Sequence, residues 1–235
     1  MAAFTERSGG VSEGVFRSLN LGLATHDVPD RVFENRRRVA AAFQLDRVAA
    51  LRQVHGDTVV PVQDEPRWQG FDAAGRDVPQ GDALLTSSVC LGLVVLTADC
   101  VPIALADPAT RVLAVVHAGW RGAAGGILQR AVASFPEPGR MLAAIGPAVG
   151  PDHYEVGEDV ANAVGSACEG GAIIHGSGSR PHLDLPATIH RILSSLGIRD
   201  VERSEDCTAC HADRFFSYRR DGATGRQALI AARLT

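Results

Sequence analysis

Three short apolar runs follow one another in the middle of the chain, at residues 91–97 (LGLVVLT), 101–106 (VPIALA) and 111–117 (RVLAVVH). Each is rich in β-branched residues, and turn-forming residues separate them: Ala98-Asp99-Cys100 after the first run and Asp107-Pro108-Ala109-Thr110 after the second. The spacing predicts three consecutive antiparallel strands. Apolar residues stand at odd and even positions alike, so both faces of such a sheet must be covered. That requirement points to an α+β fold, a layered α/β/α arrangement in one domain spanning residues 1–235, with a mixed, largely antiparallel sheet. A further strand is expected at 141–145 (MLAAI), and helices at 30–43, 123–135, 157–168 and 186–196. In the first helix Asp30 stands where it can cap after Pro29, and Val32, Val39 and Phe43 share a face. Gly119 and Gly122 predict a tight turn between the third strand and the second helix. Residues 65–81, rich in Pro, Gly and charge, read as a loop.

Composition narrows the functions such a fold can carry. An apolar fraction of 46% in 235 residues suffices for a substantial core. Net charge of −4 and a pI near 6.0 provide no electrostatic drive onto nucleic acid or an anionic membrane. All 23 basic residues are arginine. With no lysine there is no Schiff-base catalysis, no pyridoxal-phosphate linkage and no Walker-type lysine. No apolar run approaches the ~20 residues of a transmembrane helix. The first residues lack the basic and apolar regions of a secretory signal, so a cytoplasmic location is expected. Five cysteines, an odd number, suit free thiols in a reducing compartment.

The strand order has a chemical consequence. If the first run climbs, the second descends and the third climbs again, Cys100 and His117 meet at one edge. Two borderline-to-soft ligands delivered to one spot by strand ends suit a transition metal, with zinc preferred. The best third ligand is His55, in Arg52-Gln53-Val54-His55-Gly56-Asp57, which ends an apolar stretch just before a Gly-Asp turn. His26, His153, His175, His182, His190 and His211 lack a comparable setting, and Cys90 and Cys168 read as packing residues. Cys207-Thr208-Ala209-Cys210-His211 matches the covalent haem-attachment pattern, but the lack of an export signal argues against that use. No second cysteine pair at ribbon spacing completes a zinc knuckle there.

Across almost its whole length the sequence resembles the YfiH-like family, known as polyphenol oxidase (laccase domain) and as purine nucleoside phosphorylase, and linked to peptidoglycan editing. The resemblance rests on Gly9-Gly10-Val11-Ser12, Ser18-Leu19-Asn20-Leu21-Gly22, Arg52-Gln53-Val54-His55-Gly56 and Gly81-Asp82-Ala83-Leu84. It continues through Thr97-Ala98-Asp99-Cys100-Val101-Pro102, His117-Ala118-Gly119-Trp120-Arg121-Gly122, Ile145-Gly146-Pro147, Tyr154-Glu155-Val156 and Phe215-Phe216-Ser217-Tyr218-Arg219-Arg220-Asp221-Gly222. It implies zinc on His55, Cys100 and His117, phosphorolysis of adenosine, inosine, guanosine and methylthioadenosine, and deamination of adenosine. The partners are then a purine nucleoside and phosphate, and the assembly a monomer or small homo-oligomer. Arg52 and Arg121, inside the two histidine motifs, are the favoured phosphate or substrate contacts. Asp99 stands as acid, base or support for a ligand, and Asn20 as a contact to base or ribose. Three competing functions are a copper-dependent polyphenol oxidase, a metal-free cysteine hydrolase with Cys100 as nucleophile and His117 or His55 as base, and a non-catalytic zinc module with four ligands.

Overall fold

The three apolar runs are strands, but they do not lie side by side. The computed structural model describes residues 1–63, 71, 78–168, 173–174 and 180–234. In chain order its principal elements are β1 (Ala2–Phe4), α1 (Pro29–Ala42), β2 (Arg47–Ala50), β3 (Val59–Pro61), β4 (Ala83–Thr86), β5 (Leu91–Thr97), β6 (Val101–Asp107) and β7 (Val112–Ala118). These are followed by α2 (Trp120–Gly125), α3 (Ile127–Ala133), β8 (Leu142–Ile145), α4 (Glu158–Ala167), β9 (Ile173–Ile174), β10 (His182–Leu183), α5 (Leu185–Ser195), β11 (Asp200–Arg203), α6 (Tyr218–Asp221) and β12 (Gln227–Ala231). One sheet has the order β1-β12-β5-β2 and a larger one β11-β8-β6-β7-β4-β3, with β9 and β10 forming a separate pair.

The α+β class and the mixed, largely antiparallel pairing are as expected, and β6 and β7 pair antiparallel. The expected three-strand meander is corrected: β5 belongs to the other sheet. Its two edges are taken by β12, antiparallel, and β2, parallel, which leaves none for β6. The two-sided burial read from the sequence is met by different layers. Leu91, Leu93 and Val95 of β5 pack with Leu84, Ala104, Leu113 and Val115 of the larger sheet. Val94 and Leu96 turn the other way, into a core with Val39 of α1 and Phe43 at its C-cap. On the far side of the larger sheet, Ile103, Leu105, Ala114 and Val116 meet Ile127, Leu128, Ile189 and Ile192 of the helices. The layering is therefore α/β/β/α in place of α/β/α, each sheet apolar on both faces because each is covered twice. Leu93, fully buried between the sheets, gives a direct check. Leu93→Ala is expected to cost about 2–5 kcal/mol in urea unfolding, and a loss well below that would show a loose inter-sheet layer.

The helices follow the sequence with local corrections. α1 begins at Pro29, with Val28 at its N-cap, and Asp30 lies within the first turn, where its charge favours the helix end. The segment expected as one helix over 123–135 starts earlier, directly after Gly119. It is split by Gly126, whose left-handed φ of 89° ends α2 before α3 begins. α4 and α5 lie where predicted, and α5 is capped by Asp184, whose side chain accepts from the Ala187 amide at 2.9 Å. Cys168 packs half-buried on the helical core, whereas Cys90 is exposed and is not a packing residue. His175 and most of the loop expected at 65–81 lie outside the described residues. Among the described residues no helix is long and apolar enough to cross a membrane.

Candidate metal centre

The turn after β5 carries the chain from one sheet to the other, and Cys100 ends that turn. In the β6–β7 ladder Val101 lies opposite Ala118 and Pro102 opposite His117. Cys100 therefore stands just beyond the register, beside Gly119. A Cβ added at Gly119 would lie 3.1 Å from the Cys100 Sγ and 3.1 Å from the His55 ring, so the glycine is what lets these two groups close over the strand end.

His55 arrives through two side chains that anchor its loop. The Gln53 amide pairs with the backbone of Leu96 in both directions, donating to its carbonyl and accepting from its N–H at 2.8 Å each. Gln53 thereby continues the β2 side of the β5 ladder after β2 has ended. Asp82, fully buried, accepts from the amides of Val54 (3.2 Å), His55 (3.0 Å) and Gly56 (2.7 Å). These bonds hold His55 at a left-handed φ of 59°, a conformation that costs a non-glycine residue unless its surroundings fix it.

The same carboxylate orients the second histidine. Asp82 precedes β4, and β4 pairs antiparallel with β7 so that Ala83 faces Val116. Asp82 then faces His117, whose Nδ1 lies 2.8 Å from its Oδ1. A proton on Nδ1 satisfies that contact and makes Nε2 the nitrogen for a metal. His55, Cys100 and His117 offer one ligand atom each, all within 4.8 Å of one another, and the two rings meet edge to face at 4.8 Å. Bond lengths of ~2.0–2.3 Å around a tetrahedral zinc place its ligand atoms about 3.3–3.8 Å apart, so modest closure around an ion suffices. Two imidazoles and one thiolate also match the chemistry of a borderline-soft divalent cation.

The electrostatics agree. Burial pushes the Cys100 thiol up, but His117 and His55 outweigh it and bring the thiol down to about 6. Burial pulls His117 down, yet the Cys100 thiolate and Asp82 raise it to about 9. Burial likewise raises Asp82, and the hydrogen bonds from His117 and from the Gly56 and Val54 amides win, leaving it below the usual carboxylate range. Cys100 in metal-free protein should therefore react with iodoacetamide along a pH profile centred well below the thiol's ordinary 9.0, near about 6. Peptide mass spectrometry measures this for each cysteine separately, and a midpoint at 8 or above would show that the histidines do not hold the thiolate.

The other residues anticipated from sequence fall in different places. Asp99 is buried at a φ of 99°. Its carboxylate accepts from the Thr208 hydroxyl at 2.7 Å and the Arg219 amide at 2.6 Å, so it braces the Cys100 turn from behind. Asn20 is fully buried. It donates to Thr25 at 2.8 Å and Asp27 at 3.0 Å and accepts from the amides of Gly22 and Arg226, which presents no free amide edge to a ligand. Arg52 is exposed, pairs with Gln80 through its backbone and makes no side-chain hydrogen bond or ion pair among the described residues. Arg121 lies in the first turn of α2, over the Trp120 ring at 4.4 Å.

Two neighbours add to this set. Tyr154 is half-buried beneath Arg219, 4.8 Å from its ring centroid. Burial and the charge of Cys100 raise its phenol to about 12, with Arg219 and Arg121 opposing. Asp82, Gln53 and Tyr154 all stand inside sequence motifs, but nothing in their spacing shows which neighbours they touch.

Comparison with known proteins places this geometry in a family. The family model described as multi-copper polyphenol oxidoreductase laccase matches residues 1–233. The chain is similar to the purine nucleoside phosphorylase of Deinococcus radiodurans, 43% identical over 95% of this chain and 85% of that protein. It is likewise similar to that of Streptomyces coelicolor, 43% identical over 96% and 92%. Among solved structures it superposes on YlmD from Geobacillus stearothermophilus with a TM-score of 0.90 at 33% identity, covering 99% of this chain and 92% of that one. A Neisseria meningitidis protein of the DUF152 family model gives 0.88 at 40% identity, over 99% and 93%. The chain belongs to the YfiH family.

Proposed function

We propose that this chain is a zinc-dependent purine nucleoside phosphorylase that also deaminates adenosine, acting as one catalytic domain on a purine nucleoside and phosphate. The observation that carries this reading is the convergence of His55, Cys100 and His117 on one point, with Asp82 orienting both histidine segments. The names of relatives that match nearly the whole chain support the activity. Three protein ligands leave a fourth position for a reactant, and a cation bound there supplies Lewis acidity toward water or a substrate heteroatom.

The chain's own residues supply the remaining requirements. In phosphorolysis a phosphate oxygen bonds to the anomeric carbon as the bond from that carbon to the purine nitrogen breaks. The products are ribose 1-phosphate and the free base, which takes up a proton. Arg121 and Arg52 serve as cations for phosphate, and Arg219, which lies over the Tyr154 ring, is a third. Tyr154 keeps its phenol proton through neutral pH, so it is available as a hydrogen-bond donor to substrate and not as a base.

Inosine incubated with the protein should release hypoxanthine and ribose 1-phosphate in equal amounts, and only when phosphate is present. Base release independent of phosphate would replace phosphorolysis with hydrolysis. Turnover by zinc-loaded protein free of copper would separate this reading from the copper oxidase implied by the family's description.

A further inference from the structure

The haem-like segment has a partner that the sequence does not reveal. Cys207 and Cys210 lie on one turn, with the His211 amide donating to the Cys207 carbonyl at 3.2 Å, so both sulfurs project to one side. His153 reaches them from the short helical turn Pro151–His153. The ligand atoms of His153, Cys207 and Cys210 all lie within 4.8 Å of one another. Other features suit a metal. The Gly150 amide donates to the Cys207 sulfur at 3.2 Å, a contact that stabilises a thiolate. Gly150 has little room for a side chain, since a Cβ there would lie 3.3 Å from the Cys207 Cβ and Sγ. Cys210 and His153 are exposed, so an ion can enter from solvent.

We propose that His153, Cys207 and Cys210 form a second metal site, taking a thiophilic divalent cation of the zinc class. Loading displaces the thiol protons to solvent, and the two sulfurs and one imidazole nitrogen bind the ion without any redox change. The site ties the Pro151–His153 turn to the Cys207–His211 turn. Each turn continues directly into a wall of the first centre. Tyr154 follows His153, and Thr208 follows Cys207 and donates to Asp99 beside Cys100. The ion is thus a clamp that holds two walls of the active site, chemically separate from the reacting centre.

Metal-stripped full-length protein should be titrated with cobalt(II) and zinc(II), with bound metal counted by mass spectrometry after dialysis. Wild-type protein is expected to bind two equivalents, and Cys100→Ser and the pair Cys207→Ser with Cys210→Ser one each. The single equivalent left in Cys100→Ser should show thiolate-to-cobalt charge-transfer absorption, which the cysteine pair then supplies. His153→Asn removes an exposed side chain, so it tests the site in a variant expected to keep its fold. It should weaken the second equivalent by about tenfold or more while preserving that absorption. The proposal is overturned if wild-type protein and the Cys207/Cys210 variant bind equal metal. A Cys100→Ser protein lacking the charge-transfer band would contradict it too. So would an intact mass lower by two hydrogens with zinc present, because the pair would then be a disulfide.

Discussion

Cys100→Ala is expected to abolish metal binding at the first centre and to lower phosphate-dependent cleavage of inosine by about a thousandfold or more, because a Lewis acid contributes several kcal/mol to such a step. The fold should survive. Cys100 sits at the rim where the chain crosses between sheets, outside the three apolar layers, and Asp99 beside it stays held by Thr208 and Arg219. Unfolding of this variant should match metal-free wild type within about 1 kcal/mol, the range of substitutions that leave the core intact. Metal analysis, turnover and urea unfolding on one preparation check all three statements. Full activity in a metal-free Cys100→Ala protein would remove the centre from catalysis, and global unfolding would make the cysteine structural.

Asp82→Ala should be the more damaging change, in a different way. It leaves the amides of Val54, His55 and Gly56 and the Nδ1 of His117 without their acceptor inside a buried site. Stability is expected to fall by about 3–5 kcal/mol, the range for breaking a buried charge-paired network. Metal affinity should drop as well, because both histidine ligands lose their orientation. Asp82→Asn keeps the volume and one acceptor, so it should cost less stability and weaken metal by about 10–100-fold. Equilibrium unfolding together with a competitive zinc titration separates the two effects. An Asp82→Asn protein with wild-type affinity would show that His55 and His117 are held by something else.

Acid should remove the metal first from these same groups. Cys100 is lowered to about 6 and Asp82 is also lowered. At neutral pH both are ionised, whereas His117, raised to about 9, carries a proton that an incoming ion must displace. Zinc affinity measured by competitive titration should therefore fall as pH drops from neutral, and more steeply once Cys100 protonates below about 6 with Asp82 still ionised.

How much of this could be read from residues alone depends on what each interaction requires. The apolar runs announced strands buried on both faces, and the turn residues between them placed Cys100 and His117 at one end. That placement survives although β5 left the expected sheet, because the crossing turn still delivers Cys100 to the top of β6. The division into two sheets was not legible, since a strand apolar on both faces looks the same whether its neighbour is the next strand or a distant one such as β12. Asp82 was visible only as a polar residue before a strand. Its role depends on the β4–β7 register, and register is set by pairing across the sheet. Asn20 shows the opposite error, because a motif asparagine reads as a ligand contact until its amide is seen to be spent on Thr25, Asp27 and two backbone amides. His153 had no setting in the sequence at all, since its partners lie on a turn far along the chain.

The most direct test of the centre is an anomalous difference map from crystals of the wild-type protein grown with zinc and recorded at the zinc absorption edge. The account predicts a peak bonded to Nε2 of His117, a ring nitrogen of His55 and Sγ of Cys100, at ~2.0–2.3 Å from each, with a non-protein atom in the fourth position. Crystals whose dissolved protein cleaves inosine, yet whose map is empty at that point, would contradict it.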